Sequence, residues 1–116
     1  MLYGVGCDLC EVARMEKSLF GPHGRAFARR VFGPGEQAAL GIASGPDTLP
    51  EGRSRAHIAA SAAADFAAKE AFLKAAGTGL REPFALCEIE ALRLDSGAPV
   101  YHFTGETAKW VEEKKL

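Results

Sequence analysis

The sequence predicts a single α+β domain, and three observations predict it. A chain of 116 residues supports one modest hydrophobic core. The alanine-rich run from Ser54 to Ala76 reads as a long central helix, since alanine is the strongest helix former. Two strand-like runs, Leu86–Leu94 and Val100–Phe103, flank Asp95-Ser96-Gly97 and read as a small antiparallel hairpin.

The other elements follow in chain order. Leu2-Tyr3-Gly4-Val5-Gly6-Cys7 places small residues at alternate positions and reads as a short strand that Asp8 ends. Val12, Met15 and Leu19 recur at helical spacing, which predicts a helix from about Cys10 to Leu19. Gly21-Pro22-His23-Gly24 is a turn. A basic helix comes next, with Phe27 and Val31 on its apolar side and Arg25, Arg29 and Arg30 elsewhere. Pro34 suits the first turn of a further helix that reaches Leu40 or Ile42. The stretch Gly45–Gly52, with two prolines, is a loop too short to be a domain linker. Gly77-Thr78-Gly79 stops the long helix at its C-terminal end. Glu106 to Lys115 forms the last helix.

Composition excludes several classes of function. Apolar residues make up 47% and charged residues 25%, the balance of an ordinary soluble domain. A formal net charge of −1 gives no sign of a nucleic-acid partner, so electrostatic recognition must come from a local patch. Cys7 and Cys10 have C-x-x-C spacing, but no second Cys or His pair completes a zinc set. Asp8 and Leu9 between them would not lower a thiol pKa. Together with Cys87 they read as buried or incidental thiols of a reducing cytoplasm. The chain shows no charged-then-apolar leader and no apolar run of membrane-spanning length, so a cytoplasmic protein without a membrane role is expected.

The long helix carries the most informative anomaly. Ile58, Ala62, Phe66 and Leu73 form its apolar stripe, yet Lys69 falls within that stripe and Glu70 and Lys74 lie beside it. Buried charges are costly unless they are paired or bound to a metal. Two readings stand: a Glu70–Lys74 surface pair with Lys69 snorkelling outward, or charges kept for chemistry. Asp8 is similarly open. With Glu11 it has capping-box spacing at a helix start, but behind Gly4 and Gly6 it is equally suited to meet a ligand at a strand end. The Gly4-x-Gly6 pair lacks the third glycine of a dinucleotide fingerprint. Gly77-Thr78-Gly79 follows a helix, whose negative dipole end repels phosphate, so lysine or a metal would have to hold one there. Two carboxylates plus lysines suit a magnesium-bound diphosphate.

The segment Phe66-Ala67-Ala68-Lys69-Glu70-Ala71-Phe72-Leu73-Lys74-Ala75-Ala76-Gly77-Thr78-Gly79 resembles the signature K-E-A-x-x-K-A-x-G-T-G of holo-acyl carrier protein synthases, the 4′-phosphopantetheinyl transferase family. Tyr3-Gly4-Val5-Gly6-Cys7-Asp8-Leu9 is similar to the family's opening strand with its G-x-D. Phe27-Ala28-x-Arg30, Glu36 and Gly97-Ala98-Pro99 fall in the family's order, so the resemblance spans the chain.

The resemblance implies a 4′-phosphopantetheinyl transferase fold, with a small antiparallel sheet and a long central helix, assembled as a homotrimer. It implies Mg²⁺-dependent transfer of phosphopantetheine from coenzyme A to a serine of acyl carrier protein, releasing 3′,5′-ADP in fatty acid and lipid metabolism. Asp8 and Glu70 would hold the magnesium against the diphosphate. Glu70, or a water on the metal, would help deprotonate the serine, and Lys74 would neutralise the departing 3′,5′-ADP. Lys69 and Gly77, Thr78 and Gly79 would shape the coenzyme A pocket. Arg14, Arg25, Phe27, Arg29 and Arg30 would face the acidic carrier protein, their alternative being a solvated helix surface.

The chain departs from the family pattern in two places. Asp65 stands where an arginine usually precedes the F-A-A-K-E-A run, and an anion there would weaken phosphate binding. The family's later S-x-S/T-H strand, whose histidine helps bind coenzyme A, does not follow Lys114-Lys115-Leu116. The natural product is therefore expected to continue beyond Leu116. The alternative functions are a non-catalytic module that binds coenzyme A or carrier protein, and a structural subunit whose helix charges are surface pairs.

Overall fold

The computed structural model describes residues 2–43, 52–76 and 85–114, with side chains described from residue 11 onward. Helix α1 spans Leu2–Phe20, α2 Gly24–Val31, α3 Pro34–Leu40 and α4 Arg55–Ala76. A 3₁₀ turn, Leu86–Glu88, leads into strand β1, Ile89–Arg93. Strand β2, Pro99–Phe103, and helix α5, Gly105–Lys114, complete the order. The α+β class thus holds, with a two-stranded antiparallel sheet among the described residues.

The expected opening strand is corrected. Leu2–Cys7 forms the first turns of α1 instead. A strand must find a partner edge for its N–H and C=O groups, whereas a helix closes its hydrogen bonds within the run. The described sheet pairs β1 with β2 alone, so the helix is the satisfied state. Asp8 and Glu11 lie inside α1 rather than at its start, so their capping-box spacing does not mark the helix start. The expected strand from Leu86 starts three residues later, after the 3₁₀ turn. The Gly77–Gly79 stop and most of the Gly45–Gly52 loop lie outside the described residues.

Packing follows the predicted periodicities. Met15 and Leu19 of α1 meet Ala28 and Val31 of α2, with Phe32, Leu40 and Ile42 behind them and Ile58, Ala59 and Ala62 of α4 opposite. Further along α4, Leu73 packs with Ile89 of β1 and is lined by Phe72, Phe103, Trp110 and Val111. Helix α4 therefore serves two clusters, its first half against α1–α3 and its second against the hairpin and α5. Full burial of a side chain such as Leu73 contributes about 2 kcal/mol. Its neighbour Phe72 lies 4.9 Å from the Phe103 ring, a tilted aromatic pair.

The hairpin pairs Ile89 with Phe103, Glu90 with His102 and Ala91 with Tyr101. The Leu94 N–H bonds to the Ala98 carbonyl at 2.9 Å across the predicted turn. Because side chains alternate along a strand, Ile89 faces α4 while Glu90 turns toward α3. There the Glu90 carboxylate accepts the Glu36 N–H at 2.8 Å, satisfying a donor at the start of α3. That approach requires Gly33: a Cβ there would stand 2.5 Å from Glu90 Cγ. Glu88 does the same for α5, accepting the Thr107 N–H at 3.1 Å and its hydroxyl at 2.8 Å. Alternate glutamates of one short segment thus cap two helices.

Candidate active site

The charged residues of α4 divide sharply by position. Lys69 is fully buried. Its ammonium donates to the Val31 carbonyl, to Glu36 Oε1 and, at 2.9 Å, to the Leu86 carbonyl. It also lies 5.0 Å from the Phe32 ring centroid. All three N–H donors are used within the chain, so the snorkelling alternative does not occur. As a coenzyme A residue, Lys69 would act from behind the site rather than by contact.

Glu36, also fully buried, is the counter-ion. Its Oε1 accepts the Gly33 N–H at 3.1 Å and its Oε2 the Ala91 N–H at 3.0 Å, tying the start of α3 to β1. Burial pushes the Glu36 carboxyl up, against the opposing effect of Lys69. Burial pushes the Lys69 ammonium down, against the opposing effect of Glu36. Next to this pair, Glu90 Oε1 meets His102 Nδ1 at 3.1 Å.

Glu70, one residue on, is exposed. It lines an open groove of about 280 Å³ between α1 and α4, with Glu11 and Val12 on one wall and Ala63, Phe66 and Ala67 on its own. Lys74, one turn further, is also exposed. The Glu70–Lys74 pair offered by spacing does not form among the described ion pairs. The structure therefore leaves a carboxylate and an ammonium on the same side of the long helix, without each other as partners.

Asp8 lies in α1, three residues before Glu11; its side chain lies outside the described residues, as do Gly77, Thr78 and Gly79. No cluster of three or more metal-ligating side chains occurs among the described residues. Magnesium does not require one. It takes one or two carboxylates and completes its shell with phosphate oxygens and water. Exposed carboxylates of Glu70 and Glu11 on one open groove are hard oxygen donors of that kind, so the residues fit the ion. Glu11, whose spacing from Asp8 suggests a cap in the sequence, lines this groove instead, and its place three residues after Asp8 is the local signal for it. Glu36 stands out in the sequence only by its order in the chain, and no local pattern pairs it with Lys69.

Asp65 faces elsewhere. It lines a hollow of about 210 Å³ between α4 and the hairpin, beside Arg93 and Tyr101. Burial, together with the Glu36 charge, pushes its carboxyl up to about 6, opposed by Lys69 and Arg93. It is not among the side chains lining the Glu70 groove.

The basic residues spread over α1 and α2. Arg14 is exposed and lies 3.7 Å from Glu11. Arg25 and Arg29 rim a shallow hollow over Leu19, Gln37 and Ile42, and Arg30 is exposed nearby. Phe27 is half-buried and meets Phe32 edge-on at 6.4 Å, so much of its ring serves packing. Among the described residues no helix is long and apolar enough to cross a membrane.

Residues 4–115 match the model of the 4′-phosphopantetheinyl transferase superfamily. The chain is 37% identical over 115 residues to the holo-[acyl-carrier-protein] synthase of Ralstonia nicotianae, covering 99% of this chain and 78% of that one. It is 42% identical over 108 residues to the holo-[acyl-carrier-protein] synthase of a Methylobacterium species, covering 93% and 70%. The crystal structure of holo-[acyl-carrier-protein] synthase from Neisseria meningitidis superposes with a TM-score of 0.64 at 30% identity, covering 91% of this chain and 74% of that one. With a matching signature on α4, a matching fold and relatives along its whole length, the chain belongs to the 4′-phosphopantetheinyl transferase superfamily, groups there with the holo-[acyl-carrier-protein] synthases, and is a transferase enzyme.

Proposed function

We propose that this enzyme transfers 4′-phosphopantetheine from coenzyme A to a serine of apo-acyl carrier protein, with Mg²⁺ and with release of 3′,5′-ADP. The observation that carries the reading is Glu70, exposed on a groove it shares with Glu11, inside the Lys69–Lys74 signature. Asp8 and Glu70 would hold Mg²⁺, which supplies charge neutralisation at the diphosphate. Phosphoryl transfer consists mainly of positioning and charge neutralisation, so few reactive groups are needed.

The serine oxygen attacks the phosphorus that carries pantetheine, and the bond from that phosphorus to the bridging oxygen of 3′,5′-ADP breaks. Glu70 lies on the exposed side of α4, where it takes up the serine proton. Lys74, one turn on, neutralises the leaving 3′,5′-ADP. Gly77, Thr78 and Gly79 would complete the coenzyme A pocket, with Lys69 setting the helix behind it. Arg14, Arg25, Arg29 and Arg30, with Phe27, form the face for an acidic carrier protein. The exposed Leu94, Val100 and Tyr101 of the hairpin support assembly into a homotrimer. The setting is cytoplasmic fatty acid synthesis.

The test is mass spectrometry of apo-acyl carrier protein after incubation with the enzyme, coenzyme A and Mg²⁺. A carrier heavier by one phosphopantetheine, and unchanged when EDTA is present, is the expected result. Binding of coenzyme A without transfer would instead make the chain a non-catalytic module.

A further inference from the structure

We propose that Glu36 is a positioning residue for Glu70: through its ion pair with Lys69 it fixes the rotation of α4, and so aims the Glu70 carboxylate into the groove facing α1. The inference rests on the reading of Glu70 as a magnesium ligand.

Helix α4 needs such a device because of what its buried face is made of. Toward α1–α3 the fully buried part of that face is Ile58 with the alanines Ala59 and Ala62, and Ala63 and Phe66 pack half-buried beside them. Alanine methyl groups present little relief, so the alanine part of that face contributes little to fixing rotation about the helix axis. Lys69 is different. Its ammonium holds three directional bonds to acceptors on three separate segments: Val31 at the end of α2, Glu36 in α3 and Leu86 in the 3₁₀ turn. Glu36 is in turn fixed by the Gly33 and Ala91 N–H groups, so the anchor is itself tied to α3 and β1.

Glu70 follows Lys69 directly and is therefore set about 100° round the helix. One side chain is locked into the core and the next is delivered to the open groove. With side-chain ends roughly 5–6 Å from the axis, a rotation of about 20° would carry the Glu70 carboxylate ~2 Å. Displacements of about 1 Å are enough to cost catalysis heavily. A buried ion pair contributes little net stability over apolar residues of similar size, which leaves orientation as its effect here.

The test measures Mn²⁺ binding by electron paramagnetic resonance in the presence of coenzyme A, alongside transfer kinetics, in folded variants well below their melting temperatures. Glu36→Gln should weaken Mn²⁺ binding about tenfold, the usual effect of losing a group that orients a ligand. Its kcat should fall by a similar factor while KM for coenzyme A stays within about twofold. Unchanged Mn²⁺ binding in folded Glu36→Gln, with Glu70→Gln still abolishing it, would overturn the positioning role and leave the metal reading intact. Unchanged Mn²⁺ binding in Glu70→Gln would overturn the metal reading, and this inference with it. If Glu36→Gln does not fold, the paired variant Glu36→Gln, Lys69→Met, which buries no unpaired charge, takes its place with the same expected losses. Failure of both to fold would assign the pair to stability alone and reject the proposal.

Discussion

Replacing Asp65 with asparagine should stabilise the protein at neutral pH and leave its stability unchanged in acid. The Asp65 carboxyl is pushed up from 3.8 to about 6, first by burial between α4 and the hairpin and next by the Glu36 charge. A carboxyl whose folded pKa is raised behaves oppositely to a salt-bridged one. Below 3.8 it is protonated in both the folded and the unfolded chain, and it costs nothing. Between 3.8 and about 6 the unfolded chain releases the proton while the folded one keeps it, so stability falls as pH rises. Above about 6 the full cost persists.

One pKa unit corresponds to about 1.4 kcal/mol, so complete burial would make that cost about 3 kcal/mol. Asp65 is only half-buried, and solvent screening reduces the figure to about 1.5 kcal/mol. Asparagine keeps the shape and removes the charge. Urea unfolding from about pH 4 to pH 8 measures the difference, with a gain of about 5 °C in melting temperature at neutral pH. A variant no more stable than the parent at pH 7.5, or one whose gain does not shrink as pH falls through 6, would refute the reasoning.

Three further outcomes are expected. Glu70→Gln should fold normally, being exposed, and should lose transfer by on the order of a hundredfold or more; Asp8→Asn should do likewise, and near-normal turnover in either folded variant removes that residue from the metal site. Arg30→Ala, and Arg25→Ala beside it, should raise KM for the carrier protein several-fold and leave KM for coenzyme A unchanged. Carrier affinity should weaken with salt, since exposed charges are screened beyond about 10 Å at 0.1 M; salt-insensitive binding would place the docking face elsewhere. Gly105→Ala should cost about 2 kcal/mol in urea unfolding. Its φ of 59° is left-handed and its Cβ would collide with Glu88, which Thr107 holds in place; a loss under about 0.5 kcal/mol would show that the Glu88 cap is free to move.

The sequence by itself determined whatever depends on local spacing. The apolar positions of α1, α2 and α4, the Pro34 start of α3 and the Asp95–Gly97 turn follow from periodicity and backbone preference, both properties of neighbouring residues. The signature on α4 likewise carried the family, because its residues are contiguous. Tertiary structure decided what depends on a partner distant in the chain. Leu2–Cys7 has strand-like alternation, but a strand exists only if another edge receives it, and the run is helical. Spacing offered Lys69 a surface role, yet Glu36, thirty-three residues earlier in the chain, holds it in the core. Glu88 and Glu90 lie in the run predicted as a strand and act as caps for α5 and α3. Each of these turns on desolvation, which favours a charged or polar group inside only when folding brings its partner to it, and no local pattern names that partner.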